Sequence, residues 1–207
     1  IIVLWTLAFS LSAVPYFVKN IYSVIIGAAF SVLICIFTAF AAEKIQKNNN
    51  TVLIDTSTAH RTDPEWAYGM PELSEELKNK LINSKRIVVP GCHASGFIAL
   101  VYPLIEKGFI ADDVKLTCFS LTGYSGGGKK MIAEYQADGR DPLLNAPRMY
   151  GLTQSHKHLP EMKKVCGLKK TPIFCPIVAP YYSGMEVTVS LFGDCVHGGS
   201  TAIKKVY

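Results

Sequence analysis

The sequence predicts an α/β protein over residues 48–207. Short apolar runs rich in β-branched residues alternate with stretches whose apolar residues recur every three or four positions, as strands alternate with helices. Polar or glycine-rich loops follow several of the predicted strands, at the strand ends where open α/β sheets usually bind ligands. The 207 residues allow one large or two small domains.

Residues 1–47 form an apolar leader that differs from the rest of the chain. Ile1 to Val18 carries no charge, although Pro15 interrupts it, and the uncharged run from Asn20 to Ala42 is long enough to span a bilayer as a helix. No signal-peptide layout is visible. Three interpretations stay open: a membrane hairpin or anchor, a buried part of a globular domain, and a segment foreign to the functional protein.

The first predicted strand, 51–54, runs into a polar loop at 55–64. Arg61 in this loop has a guanidinium that can bind a carboxylate or a phosphate with two parallel hydrogen bonds. The alternative is a solvated loop arginine. An amphipathic helix is predicted next, over 74–82, with Ser74 as its N-cap.

The second predicted strand, 86–89, ends at Pro90 and Gly91, and a helical pattern takes over from Ser95 until Gly108 stops it. Cys92 therefore lies in a strand-to-helix turn, at or just before a helix N-terminus. Free N–H groups and the positive end of the helix dipole favour a thiolate there, which is the nucleophilic form. The alternative is a small buried cysteine beside a turn.

A glycine-rich loop at 123–130 lies between a predicted strand, 114–122, and a short predicted helix, 131–136. The loop nearly matches the phosphate-binding P-loop, but Lys130 replaces the Ser or Thr whose hydroxyl holds Mg²⁺. A P-loop nucleotide hydrolase therefore stays open as an alternative enzyme class. A glycine-rich turn also allows other ligands to approach the backbone closely.

Two histidines and a glutamate follow a predicted loop at 138–151. On a helix, the three-residue step from His158 to Glu161 brings a base and its orienting carboxylate to one face. A metal site that includes His156 is the alternative, although no third ligand is evident and no metal is expected. A third interpretation is an ordinary polar start of a helix, without a functional role for these residues. Two more strands are predicted, at 171–178 and 185–192.

The charge distribution and the cysteine spacing give no support for nucleic-acid binding or for a zinc finger. The net charge of +5 comes without a dense Lys/Arg run, which weakly favours small anionic ligands and gives no signature of nucleic-acid binding. The six cysteines have neither CxxC nor zinc-finger spacing. They are interpreted as reduced thiols of an intracellular protein.

Together the motifs resemble the short form of N-acetyl-gamma-glutamyl-phosphate reductase, a family of arginine biosynthesis. The resemblance covers residues 48–207, in the family's order and spacing. It rests on the following stretches: Ile54 to Thr62, Tyr68 to Leu73, Pro90 to Phe97, Gly123 to Lys130, His156 to Glu161, and Pro176 to Met185. The resemblance implies a catalytic domain like that of glyceraldehyde-3-phosphate dehydrogenase. It also implies reduction of an acyl phosphate to an aldehyde with NADPH.

The resemblance also implies residue roles. Cys92 resembles the nucleophile that displaces phosphate to give a thioacyl enzyme. His158 resembles the family's acid/base, with Glu161 orienting it. Arg61 and His156 resemble substrate-binding positions.

The cofactor side of the resemblance is less complete. Ser125, Gly126 and Gly127 look like the loop that faces the nicotinamide end of NADP. The family commonly has Asn where this chain has Val89 and often Tyr where it has His93, so hydrogen bonds around the nucleophile are expected to differ. Nothing in residues 1–47 resembles the family's strand, glycine-rich turn and helix that hold the NADP phosphates.

The expected organisation has three parts. Residues 1–47 are the leader, 48–90 the remnant of an NADP-binding domain, and 91–207 a catalytic domain that is expected to stop before the family's last segment. The resemblance implies a cytoplasmic homo-oligomer with a small acyl phosphate as substrate; the protein is membrane-associated only if residues 1–42 are an anchor. A membrane-anchored binding protein without catalysis stays open as the non-enzyme alternative.

Overall fold

A computed structural model of the protein describes residues 50–207. The predicted leader lies outside the described residues. The chain divides into two compact units: the described parts of the first are 50–69 and 76–89, and the second comprises 70–75 and 90–207. Within the described part of the chain, no helix combines the length and the apolar character needed to cross a bilayer.

The first unit contains a three-stranded parallel sheet with strand order β1-β3-β2. Its elements have these bounds: β1 Leu53–Asp55, β2 Ala67–Tyr68, α1 Glu75–Asn83 and β3 Arg86–Val88. The predicted strands at 51–54 and 86–89 and the helix at 74–82 are confirmed within one or two residues. Strand β2 was not predicted, because two residues are too few for a periodic pattern.

The second unit is built on a mixed four-stranded sheet with order β5-β6-β4-β7. Strands β4 and β6 are parallel, whereas β5 and β7 run antiparallel to their neighbours. The strands and longer helices have these bounds: α2 Cys92–Glu106, β4 Thr117–Gly123, α3 Gly128–Gln136, β5 Arg148–Met149, α4 Leu159–Val165, β6 Ile173–Ala179, β7 Met185–Ser190 and α5 Gly199–Ile203. Short 3₁₀ turns lie at Tyr124–Gly127, Pro142–Asn145 and Gly193–Cys195.

Two predictions for this unit were wrong in detail. The segment 138–151, predicted as loop, contains the 3₁₀ turn Pro142–Asn145 and the two-residue strand β5. Helix α3 begins at Gly128, three residues before its predicted start at 131. Propensity disfavours a glycine in a helix, so the sequence pattern placed the helix start too late.

Helix α2 packs its apolar side into the core of the second unit, and this burial holds the helix in place. The buried side chains of α2 are His93, Ala94, Phe97, Ile98, Val101 and Leu104. Gly96 faces strand β7 so closely that an added Cβ would lie 2.6 Å from Cγ2 of Val187. The helix ends at Glu106 with Lys107 as its C-cap, and Gly108 follows with φ of 71°, which confirms the predicted stop.

The side chains of β4 alternate between the core and the opposite face of the sheet. Cys118 and Ser120 are fully buried, whereas Phe119 between them is exposed. Met149 on β5 and Ile173 on β6 are also exposed. Their strand registers place them on the same face as Phe119. We call this apolar surface, defined by Phe119, Met149 and Ile173, the outer sheet face.

Candidate active site

Cys92 is the first residue of α2 and the one exposed cysteine among the described residues. Its neighbours Gly91 and His93 are buried, so the backbone carries the thiol out of a packed turn. The N–H groups of a helix's first turn have no acceptor within the helix and favour negative charge. The predicted position of Cys92 at the helix start is confirmed.

The turn before Cys92 is fixed by hydrogen bonds. The Gly91 N–H donates to Glu161 Oε1 at 2.8 Å, and the Gly91 carbonyl accepts from both the N–H and the Oγ of Ser95, at 2.8 and 2.9 Å. Glu161 is 1% exposed and lies in the first turn of α4. A buried carboxylate from a helix distant in sequence therefore holds the turn that carries Cys92.

Three imidazoles surround the start of α2. The His93 ring centroid lies 5.5 Å from that of His158 and 6.1 Å from that of His156, and the last two are 4.8 Å apart. The expectation that His158 lies on a helix with Glu161 needs correction. His158 is the N-cap of α4, the residue directly before the first helical residue, Leu159. That Glu161 orients His158 stays a prediction.

Burial governs the ionisation of His93 and His156. Burial, with smaller contributions from His156 and Lys157, lowers the pKa of His93 to about 4. Burial and the Lys157 ammonium also lower the pKa of His156. His93 is therefore a neutral hydrogen-bonding group near pH 7.

Neutral His93 connects the sheet to Tyr150. Its Nδ1 lies 2.6 Å from Ser120 Oγ on β4, and its Nε2 lies 2.9 Å from the Tyr150 hydroxyl. Burial, followed by the influence of Cys92, raises the pKa of Tyr150 to about 12. The structure therefore adds a hydrogen-bonded chain of Ser120, His93 and Tyr150, which passes through the residue next to Cys92.

Sequence reasoning missed the hydrogen bonds that join these three residues. The local signals were a histidine directly after Cys92 and a serine at an inward position of β4. Tyr150 carries no such signal, because the two-residue strand β5 places it.

The thiols differ in environment as well as in exposure. Burial raises the pKa of both Cys118 and Cys166 to about 12. Both therefore stay protonated near pH 7 and lack access to solvent. Among the five cysteines in residues 50–207, Cys92 is the one that combines exposure with a helix N-terminus.

The glycine-rich loop forms the 3₁₀ turn Tyr124–Gly127. The N–H groups of Gly123, Tyr124 and Ser125 donate to the carbonyls of Gly184, Tyr181 and Tyr182, respectively. A P-loop directs such N–H groups at a bound phosphate, so this arrangement argues against the P-loop alternative. Beyond Ser125, the backbone of Gly126 and Gly127 is exposed.

Arg61 belongs to the first unit. Its Nε donates to the Val89 carbonyl at 3.0 Å, and its Nη2 donates to the Thr56 carbonyl at 3.5 Å. The substrate-binding role of Arg61 stays a prediction. Of the other predicted site residues, the second unit brings Glu161, His156 and His158 around the turn that carries Cys92.

No metal site is evident in residues 50–207: no three side chains of His, Cys, Asp or Glu meet in a group that could hold an ion. The three clustered imidazoles instead pack against each other and against Phe174, whose ring centroid lies 5.3 Å from that of His93 and 5.0 Å from that of His156.

The chain belongs to the semialdehyde dehydrogenase family: its residues 92–207 match the family model described as semialdehyde dehydrogenase, dimerisation domain. N-acetyl-gamma-glutamyl-phosphate reductase from Sinorhizobium medicae is 41% identical over 162 residues, which are 78% of this chain and 52% of that protein. The reductase of the same name from Brucella ovis is 38% identical over 168 residues, 81% of this chain and 54% of the relative. The chain thus spans about half the length of the curated relatives that it matches, and the resemblance seen in the sequence is confirmed.

Solved structures confirm the predicted fold class. A probable aspartate-semialdehyde dehydrogenase from Pseudomonas aeruginosa superposes with a TM-score of 0.54 at 16% identity, covering 75% of this chain and 52% of that one. Aspartate semialdehyde dehydrogenase with NADP from Candida albicans gives a TM-score of 0.52 at 18% identity, covering 75% of this chain and 48% of that one. At these identities the similarity concerns the fold.

Proposed function

We propose that this chain carries the acyl-transfer site of an N-acetyl-gamma-glutamyl-phosphate reductase. The proposed overall reaction is the NADPH-dependent reduction of N-acetylglutamyl 5-phosphate to N-acetylglutamate 5-semialdehyde. The observation that carries the proposal is Cys92, an exposed thiol at the first residue of a buried helix, with its turn clamped by Glu161 and imidazoles around it. The names of the relatives support the substrate.

The proposed chemistry begins at sulfur. The Cys92 thiolate attacks the acyl carbon, the bond from that carbon to the phosphate oxygen breaks with its electron pair, and inorganic phosphate leaves a thioester. NADPH, when bound, supplies the hydride that reduces the thioester carbon. Protonated His158 then gives a proton to the resulting oxyanion. His158 takes the proton back as the carbon–sulfur bond breaks, and this releases the aldehyde and the thiolate.

The proposal also assigns residues to the nicotinamide side of that cofactor. Ser125, Gly126 and Gly127 are the proposed contact, because the exposed backbone of the two glycines lets a flat ring approach closely. A Cβ on Gly127 would lie 2.4 Å from Sδ of Met131, so the glycine there also allows α3 to pack against the turn.

The acyl-transfer step can be tested on the 207-residue chain without cofactor. Incubation with N-acetylglutamyl 5-phosphate is expected to release about one equivalent of phosphate and to add one acyl group at Cys92, detected by intact-mass and peptide mass spectrometry. Cys92→Ser abolishes both signals, whereas the matched control Cys195→Ser keeps them. Phosphate release that Cys92→Ser leaves unchanged rules out the proposed function.

The roles of His158 and His156 can be separated in a turnover assay that contains NADPH. His158→Ala is expected to slow turnover with NADPH by about 10²- to 10⁴-fold. Where the 207-residue chain turns over too slowly to measure, the chain is fused to the cofactor domain of a relative. His156→Ala mainly weakens substrate binding, because His156 is a proposed contact to the substrate. Equal rate losses in the two variants argue against His158 as the acid/base.

We propose that a second copy of this chain covers the outer sheet face. The matched family model is a dimerisation domain, and the face exposes Phe119, Met149 and Ile173 by 42, 45 and 56%. Apolar patches of this kind on a sheet are typical of interfaces. Phe119→Lys is expected to convert a dimer into a monomer in light scattering after size exclusion, whereas the exposed control Leu143→Lys, in a 3₁₀ turn, leaves it dimeric. A Phe119→Lys dimer contradicts the proposal.

A cytoplasmic location is proposed as well. The cysteines of the described part of the chain are all free, which suits a reducing compartment. Cell fractionation tests this, and recovery of the 207-residue chain in membranes favours the anchored alternative.

A further inference from the structure

A cavity of about 430 Å³ lies between helix α3 and strand β5 of the second unit. Its apolar lining includes Met131, Tyr150 and Val178. Met131 and Tyr150 pack against the buried cluster that contains Val178, so this lining is continuous with the core. A concave pocket of this size, mostly apolar and with few polar groups, is the usual form of a small-molecule site. The proposed function assigns no ligand to it.

Three charged side chains also line the cavity. Lys130 and Glu134, four residues apart on α3, share one face of that helix, and Arg148 comes from β5. Two cations and one carboxylate give these three side chains a net charge of +1. Nη2 of Arg148 lies 3.6 Å from Oε1 of Glu134, which is longer than a hydrogen bond, and both side chains are partly exposed. This ion pair is therefore weak.

Buried aromatic rings hold Arg148 in one orientation. Its Nε donates to the Tyr135 hydroxyl at 3.2 Å, and its guanidinium carbon lies 5.3 Å from the centroid of the Tyr135 ring. Tyr135 is 1% exposed, and its ring stacks on that of Tyr124 with the centroids 4.6 Å apart. A guanidinium fixed through Nε can still donate from its terminal nitrogens to a ligand. Because the side chain is already ordered, binding costs less conformational entropy.

We propose that this cavity binds a small carboxylic acid in its singly charged form, with an apolar chain of a few carbons. Arg148 donates two parallel hydrogen bonds to the carboxylate, and Lys130 adds a second positive charge. Met131 and Val178 contact the chain. The net charge of +1 suits a monoanion, and Glu134 repels the second negative charge that a phosphate would bring.

Two sources of such a ligand share this chemistry. One is the N-acetylamino-acid end of the acyl phosphate, which carries an α-carboxylate; this source rests on the proposed function. Tyr150 connects the cavity to the candidate site, because its hydroxyl lies 2.9 Å from Nε2 of His93 and its ring centroid lies 5.8 Å from that of His156. The other source is a separate organic acid.

Binding is measured on the 207-residue chain by ligand-observed NMR titration with a pair of probes. N-acetylnorvaline is a monoanion with a propyl side chain, and its primary amide lacks the charge. The amide is expected to bind about tenfold more weakly or worse, since hydrogen bonds to charged groups are strong. Inorganic phosphate at equal concentration is expected not to displace N-acetylnorvaline. Equal affinities of acid and amide, or displacement by phosphate, overturn the proposal.

The residues are tested by removing one charge at a time. Arg148→Gln is expected to weaken the binding of N-acetylnorvaline about tenfold or more, and Lys130→Gln to weaken it to a smaller extent. Lys129→Gln, which removes the same charge from the exposed neighbouring residue of α3, is the matched control and keeps the wild-type affinity. If Arg148→Gln fails to fold, Lys130→Gln and the pair of probes decide. A wild-type affinity in folded Arg148→Gln or in Lys130→Gln contradicts the proposal.

Phosphate release at Cys92 distinguishes the two sources. N-acetylnorvaline that inhibits release in wild type but not in Arg148→Gln assigns the cavity to the substrate, whereas binding without inhibition assigns it to a separate acid. Both results keep the cavity as a carboxylate site. Absent release in wild type rejects the proposed function and leaves the titration valid, because the titration contains neither acyl phosphate nor cofactor.

Discussion

Lowering the pH from about 7 to about 4 is expected to destabilise the second unit through His93. Burial lowers the pKa of His93 from 6.5 to about 4. In the unfolded chain, His93 binds a proton with its ordinary pKa, whereas in the folded chain burial opposes its protonation. The contribution of neutral His93 to the free energy of unfolding is therefore fully present above pH 6.5. It falls as the pH drops and is lost by about pH 4. At 1.36 kcal/mol per pKa unit, that contribution is about 3 kcal/mol.

The assay compares wild type with His93→Gln, whose amide keeps hydrogen-bonding capacity toward Ser120 and Tyr150 but does not titrate. Urea unfolding is measured at several pH values by hydrogen-exchange protection of peptides from α2, so that only the second unit is reported. His156 titrates in the same direction in both proteins and cancels in the comparison.

The expected result is a wild-type stability that falls about 3 kcal/mol further than that of His93→Gln between neutral and acid pH. Equal pH dependence in the two proteins refutes the reasoning, because it means that His93 binds its proton as readily in the folded chain as in the unfolded one.

Two further predictions concern Cys92 and the helix that carries it. Limiting iodoacetamide near neutral pH is expected to modify Cys92 before all other thiols of the described chain, and peptide mapping that finds Cys118 or Cys166 modified first contradicts this. Gly96→Ala is expected to cost about 1–3 kcal/mol of folding free energy, since the new methyl group overlaps Val187. Val187→Ala in the same chain is the control that restores part of the loss, and thermal unfolding measures both.

Local features of the site could be predicted from the sequence. The turn around Cys92 is one of them, because Pro90 and Gly91 end a strand and the helical pattern follows within a few residues. The stop at Gly108 is another, because a residue with positive φ after a helix is usually glycine. Such signals depend on neighbours in sequence alone.

The contacts that complete the site could not be predicted in this way. The Gly91–Glu161 hydrogen bond joins residues 70 positions apart, and the spacing of His158 and Glu161 indicated a helix face where the structure has an N-cap. The Ser120 contact to His93 requires the position of α2 over β4, which tertiary packing decides. The relatives and the family model identify the class of protein, but contacts between residues far apart in sequence depend on the three-dimensional packing.

The hydrogen bond between Gly91 and Glu161 also determines how early in translation the turn around Cys92 can take its final structure. Glu161 follows Gly91 by 70 residues, and a ribosome adds about 5–20 residues per second, so about 4–14 seconds separate the two. Throughout that interval Cys92 is already made but its turn lacks the carboxylate that holds it. The nascent thiol is therefore open to oxidation and to wrong pairing with other thiols, and the fold does not protect Cys92 during this interval.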